Sequence, residues 1–272
     1  MPSARRLLRQ LTDRRVPLRT RLGILAAEAR RRLRPRARYA VRYGSGVLLL
    51  SHDDFAVDRK SLDFVLEGSY ATDYRGAVVL DIGAHKGYFG AYALAHGARA
   101  VVSFEPERAN VALLEESAAS FRAREADWRV VPVAVGAAAG EAELHVMSAS
   151  WGHALHPPDA FAEYEVGTQV VPVAALADVL ADADGLADGA RVVAKVNIEG
   201  EECSTVLQTP ARAWEGVSEA FVETHPWASC DAAELAAHLA PSGLTRAKSA
   251  AEVVLRLRRG GAPRSGPRTG PS

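Results

Sequence analysis

The chain has 272 residues, 48% of them hydrophobic, with equal numbers of basic and acidic side chains. That is room for one large α/β domain with extensions, or at most two small ones, and enough apolar material for a core. No apolar run reaches the length of a membrane span, and two cysteines, Cys203 and Cys230, offer neither a disulfide framework nor metal-ligand spacing, so buried free thiols in a reducing cytoplasm are expected.

The zero net charge conceals an asymmetry. Residues 1–42 hold fourteen arginines against Asp13 and Glu28, which makes this segment +12 and the remainder −12. Residues 1–36 read as a basic leader of one or two helices, with Leu22, Leu25, Ala26 and Ala29 as the apolar stripe of the second. Arg5-Arg6 is followed by more arginine and not by the apolar stretch of an export signal. Such an arm suits nucleic acid, an anionic membrane surface, or an acidic protein face. Residues 37–75 read as a hairpin (39–43 and 47–50, turning at Gly44-Ser45-Gly46) and a helix over 58–70 that packs on the sheet edge.

From residue 76 to 259 apolar runs alternate with helical spacing. Strands are predicted at 77–81, 100–104, 129–135, 191–198 and 219–224, with helices at 88–96, 107–121, 174–180, 201–207 and 232–239. Half-exposed strands are expected at 141–146 and 168–173, a closing antiparallel pair at 244–248 and 253–257, and a Gly/Pro/Arg/Ser-rich tail at 260–272. The alternation predicts a mostly parallel sheet covered by helices on both faces, with ligands at the strand carboxyl ends.

Two stretches stand at those ends. The first is Val78-Val79-Leu80-Asp81-Ile82-Gly83-Ala84-His85-Lys86-Gly87-Tyr88, followed one helix later by Ser103-Phe104-Glu105-Pro106. A dinucleotide loop needs Gly at the position that His85 holds, and Asp81 beside the loop would repel a diphosphate. Both features suit a cofactor that carries an ammonium, a sulfonium and a ribose diol, namely S-adenosylmethionine (SAM). Asp81 would hold the ammonium directly or through water, Gly83 and Gly87 would let the backbone approach, and Glu105 would accept the ribose hydroxyls. Ala84, His85, Tyr88 and Pro106 complete the expected cradle.

The second stretch is Lys195-Val196-Asn197-Ile198-Glu199-Gly200-Glu201-Glu202, with Val222-Glu223-Thr224-His225 closing the next strand. With Leu-Asp-Ile-Gly-Ala-x-x-Gly-Tyr-Phe and Phe-Glu-Pro, the combination resembles the FkbM-type SAM-dependent methyltransferases over residues 76–258. The resemblance implies a class I SAM-dependent methyltransferase (Rossmann-like) fold: an α/β protein with a seven-stranded, mostly parallel sheet and a C-terminal antiparallel hairpin. It also implies O-methylation of a hydroxyl on a sugar or secondary metabolite. The family more often carries Asn where His85 stands and Asp where Asn197 stands. Asn197, and the lack of an Asp-Asp pair after the fourth strand, argue against a metal site.

His225 is the first candidate general base, because a neutral imidazole near pH 7 suits the task. Glu199 is the second candidate, and Asn197 is expected to contact the acceptor or the methionine end of SAM. Lys195, mid-strand in an apolar run, should pair with Glu199, Glu201 or Glu223, since an unpaired buried ammonium is costly. Residues 147–167, with Trp151, His153, His156 and Tyr164, read as a lid over a small-molecule or glycoside acceptor. Two other functions compete: an RNA methyltransferase that uses the arginine arm, which lacks the Asn-Pro-Pro-Tyr type of motif, and a non-catalytic SAM-binding module.

Overall fold

The computed structural model describes residues 17–33, 39–51 and 54–260. The expected tail and the first part of the leader lie outside those residues. In chain order the elements are α1 (Leu18–Leu33), β1 (Tyr39–Tyr43), β2 (Gly46–Leu50), α2 (Phe55–Leu66), β3 (Val78–Ile82), α3 (Tyr88–Ala95), β4 (Ala100–Phe104), α4 (Arg108–Arg122) and β5 (Asp127–Val131). Then follow β6 (Ala134–Gly136), β7 (Gly140–Met147), β8 (Glu165–Ala175), α5 (Leu176–Ala187), β9 (Val192–Val196), α6 (Glu202–Gln208), β10 (Val217–Glu223), α7 (Ala232–Leu239), β11 (Leu244–Ala247) and β12 (Val254–Arg259).

The central sheet has seven strands in the order β11-β12-β10-β9-β3-β4-β5. β12 runs antiparallel to both its neighbours, while the remaining pairs are parallel. This is the seven-stranded, mostly parallel arrangement that the class I fold requires. Strand order reverses between β3 and β9, so their carboxyl ends, Ile82 and Val196, are adjacent register partners beside an open crevice. All five residues of β3 and of β9 are buried, as an apolar run covered on both faces must be.

Alternate residues of β3 feed two separate cores. Val79 joins a core on one face with α1, the β1–β2 hairpin, α2, α3 and α4. Val78, Leu80 and Ile82 join the other with α5 and α7. The hairpin is fastened to α4 through its backbone: Val47 N donates to Ser120 Oγ (2.8 Å) and Leu49 N to Ser117 Oγ (3.1 Å). Those serines occupy donors that an edge strand would otherwise leave open.

Three sequence expectations change here. Helix α1 turns Thr20, Ile24 and Ala27 inward, while Leu22 is 51% exposed. The stripe of Leu22, Leu25, Ala26 and Ala29 is therefore not its packing face, because the hairpin lies on the other side: Thr20 Oγ1 donates to Arg42 O at 2.9 Å. The strand expected over 129–135 is two strands. The chain breaks at Pro132, which has no N–H to continue the ladder, and β6 joins β7 and β8 in a separate three-stranded sheet, order β6-β8-β7. The helix expected at 58–70 begins earlier, at Phe55, and ends at Leu66.

Candidate active site

A cavity of about 620 Å³ opens at the carboxyl ends of β3, β4, β9 and β10. Its lining gathers most of the expected site residues: Gly83, Ala84, His85, Tyr88, Glu105, Pro106, Asn197, Glu199 and His225. Asp81 and Gly87 stand behind that lining.

The β3 loop is shaped by close approaches. Gly83 has φ +74°, and a Cβ there would sit 1.7 Å from the carbonyl oxygen of Asn197, so the two strand-end loops touch where only glycine fits. Gly87, at φ +86°, starts α3, and a Cβ on it would enter Leu114 and Trp128. Its role is thus to seat the helix on the core and not to face a ligand. The amides of Gly83 and Ala84 both donate to Phe104 O, at 3.0 and 2.9 Å, which ties the loop to β4.

Asp81 is fully buried, and its carboxylate faces Lys195 from the neighbouring strand at 3.1 Å. Lys195 Nζ also donates to Gly83 O at 2.5 Å. This corrects two expectations. Lys195 pairs with Asp81 and not with Glu199, Glu201 or Glu223, because parallel register sets residues 81 and 195 side by side. Asp81 accordingly has its cation within the protein, and it braces the loop from below.

Glu105 ends β4 as expected. Its Oε2 accepts from His85 N (2.8 Å) and its Oε1 from Glu107 N (3.0 Å) and Asn110 Nδ2 (3.4 Å). Burial raises its carboxyl to about 7 despite those donors. His85 takes a left-handed φ of 52° to reach that position. Burial, with Lys86 adjacent, holds its ring well below the ordinary histidine value, and its Nε2 meets Ser150 Oγ at 2.8 Å.

Across the crevice a second cluster surrounds His225. Its Nδ1 lies 3.2 Å from Glu202 Oε2 and its Nε2 lies 3.5 Å from Glu199 Oε2. Glu202, 1% exposed, also accepts from Ile198 N (2.6 Å) and Gly200 N (3.0 Å), so a single carboxylate holds both the strand-end turn and the imidazole. Burial pulls His225 down, but the hydrogen bond and charge of Glu202, with Glu199 and Glu223, outweigh it and raise the ring to about 9. These carboxylates favour the imidazolium, where the sequence led us to expect a neutral base. Glu199, in a left-handed φ of 54°, is raised to about 8, chiefly by burial. Asn197 Oδ1 is a buried acceptor with no hydrogen-bond partner among the described residues. Glu223 receives a hydrogen bond from Tyr70 OH at 2.7 Å.

Residues 147–167 form the tip of the β7–β8 hairpin. Trp151, His153, Ala154 and Leu155 line the cavity. The tip is pinned at Ser150: its N donates to Asp54 Oδ2 (2.9 Å), its Oγ accepts from Lys86 Nζ (2.8 Å), and its carbonyl accepts from Asn110 Nδ2 (3.3 Å). His156 meets Glu201 at 2.7 Å, and His153 Nδ1 accepts from Met147 N. No group of three or more His, Cys, Asp or Glu among the described residues could hold a metal ion.

Sequence reasoning missed Glu202, Lys86 and the two cysteines. Lys86, 3% exposed, bonds Asp58 Oδ1 of α2 at 2.5 Å and anchors the β3 loop to that helix. A lysine inside the glycine loop was the available signal, but its partner is 28 residues upstream. Cys203 and Cys230 form a disulfide with Cα atoms 5.6 Å apart, against the expectation of free thiols. It joins α6 to the segment that follows His225 and Trp227.

No protein-family model and no curated protein matches the chain. Among solved structures it is similar to methyltransferase FkbM from Methylobacillus flagellatus KT, at 17% identity and a TM-score of 0.44, over 75% of this chain and 53% of that one. The chain thus spans about half the length of that structure. It is similar to magnesium protoporphyrin IX methyltransferase (ChlM) from Synechocystis PCC 6803 with bound SAM, at 12% identity and a TM-score of 0.43, over 88% and 97% of the two chains. The ribosomal protein L11 methylase from Lactobacillus delbrueckii subsp. bulgaricus matches at 13% identity and a TM-score of 0.36, over 77% and 81%. The likeness in each case is one of fold.

Proposed function

We propose that this chain is a SAM-dependent methyltransferase that acts on a hydroxyl of a small-molecule acceptor. The observation that carries this reading is one cavity at the switch point with a carboxylate on either side, the buried Glu105 at the end of β4 and the partly buried Glu199 beyond β9. The chemistry of the wall fits the cofactor. Glu105 would accept ribose hydroxyls, the unpartnered Asn197 Oδ1 is an acceptor for an ammonium, and Gly83 lets the β3 and β9 loops close against each other beneath the cofactor.

The cofactor would supply a methyl group already activated on a sulfonium. The protein's tasks are then to orient the acceptor and to take its proton. Glu199 in its ionised form takes that proton as the oxygen becomes a methyl ether, so the rate should rise with pH towards about 8. A carboxyl raised to about 8 is a base strength matched to neutral pH, and such a base contributes roughly 10²–10⁴-fold. His225 supports the Glu199 carboxylate as an imidazolium, and Glu202 fixes the ring. The hairpin tip, pinned through Ser150, covers one side of the crevice.

Calorimetric titration with SAM and separately with NAD, on the parent chain and on Glu105→Ala, tests the reading. Saturable SAM binding, weakened by roughly 1–3 kcal/mol in the variant, is expected. Absence of SAM binding by the folded parent chain would refute it and favour a non-catalytic α/β binding module.

A further inference from the structure

A second cavity of about 280 Å³ lies between the hairpin tip and the loop after β10. It shares Trp151, Ala154, Glu199 and Trp227 with the main cavity, so the two meet at the carboxylate assigned to proton removal. Its remaining wall is Met147, Pro157, Pro158, Phe161 and Tyr164 with small residues between them. Trp227 is the hinge of the arrangement. Its ring lies against His225 (centroids 4.8 Å, planes tilted 35°) on one side and receives the edge of Phe161 (5.2 Å, 81°) on the other. Gly200 makes this possible, since a Cβ there would stand 2.9 Å from Trp227 Nε1.

On the methyl-transfer reading above, we infer that this slot takes the hydrophobic ring system of the acceptor and that the methylated hydroxyl is carried on an aromatic body, not on a bare sugar. A sugar ring would bring several hydroxyls into a wall whose polar side-chain groups are the hydroxyls of Ser148 and Tyr164, the Glu199 carboxylate and the indole N–H of Trp151 and Trp227, too few to partner them all. Each hydroxyl left without a partner would lose the hydrogen bond it makes to water. An apolar ring meets the opposite condition: it displaces water from aromatic and proline faces and gains edge and stacking contacts. The size agrees, because a dry apolar cavity of roughly 150 Å³ holds benzene and this one is nearly twice that volume. Glu199, at the junction of the two cavities, then faces a hydroxyl projecting from the ring's edge.

The test is calorimetric titration of the full chain, loaded with S-adenosylhomocysteine, with 2-naphthol and separately with methyl α-glucopyranoside. The parent chain and Phe161→Ala are compared, with thermal unfolding as a check that the variant is folded. Naphthol should bind saturably and lose about tenfold in affinity in Phe161→Ala, with the glucoside weaker than naphthol throughout. A second variant, Tyr164→Ala, removes a half-exposed wall residue with little bearing on stability and should weaken naphthol in the same direction. Equal naphthol affinity in the parent chain and both variants, or tighter binding of the glucoside, overturns the inference. A SAM titration of the parent chain free of S-adenosylhomocysteine separates the two readings. If SAM fails to bind while naphthol binds in a Phe161-dependent way, methyl transfer falls and the aromatic slot stands.

Discussion

Glu202→Gln perturbs the cluster at its most connected point. The parent carboxylate accepts from Ile198 N through Oε1, and from Gly200 N and His225 Nδ1 through Oε2. Glutamine has the same shape but one acceptor oxygen. With that oxygen kept on Gly200 and His225, its NH₂ faces the Ile198 amide, donor against donor, and an unsatisfied buried amide costs about 1–3 kcal/mol. The lost charge adds to this. His225 stands at about 9 against 6.5 for a free histidine, which at about 1.4 kcal/mol per pH unit is roughly 3 kcal/mol in favour of the imidazolium. Glu202 is the foremost of the groups that raise it, so more than half should vanish with its charge. We expect His225 to titrate below about 7.5 in the variant, and unfolding stability at pH 7 to fall by about 3–5 kcal/mol, the scale for breaking a buried ion pair. An NMR titration of the His225 ring and urea unfolding read the two quantities. An unmoved His225 titration, or a stability change under about 1 kcal/mol, would refute the claim that Glu202 holds this ring charged.

The pH dependence of stability has a definite sign. Glu105, Glu199 and His225 are raised from 4.5, 4.5 and 6.5 to about 7, 8 and 9. The folded chain therefore holds protons that the unfolded chain has released, and stability present at low pH is lost as pH rises through 7 to 9. The thermal midpoint should be higher at pH 6 than at pH 9.5, and a flat or rising profile would count against these environments. Lys195→Met leaves the fully buried Asp81 without its cation and should cost about 3–5 kcal/mol, most of it recovered in the Lys195→Met/Asp81→Leu double variant. Additive costs in a double-mutant cycle would show that the pair does not act as a unit. Reduction of Cys203–Cys230, 27 residues apart, should lower unfolding stability by about 3–4 kcal/mol on the loop-entropy scale. Identical urea midpoints with and without reductant would show that the link contributes nothing.

Much of the architecture was legible in the chain. Val78–Ile82, Ala100–Phe104 and Ala232–Leu239 fall within a residue of the expected bounds because each is a continuous apolar run or a capped helix, both local signals. The two acids at the ends of the first core strands were also readable, since parallel sheets put ligand chemistry at strand termini. The hairpin at residues 39–50 followed from its glycine turn. At Pro132 the apolar pattern continued across a residue that cannot propagate the ladder, so periodicity alone merged two strands that belong to different sheets.

What the sequence determined by itself was the set of elements, their order and the polar residues at their ends, because propensity, capping and apolar spacing act over a few residues. What only the tertiary structure decided was pairing. Lys195 meets Asp81 through register 114 positions apart, Lys86 meets Asp58, and Cys203 meets Cys230. Those pairings in turn set the chemistry. The Glu202, Glu199 and His225 contacts raise the proton affinity of both the imidazole and the Glu199 carboxyl, because burial and neighbouring charge depend on what the whole chain brings within a few ångströms.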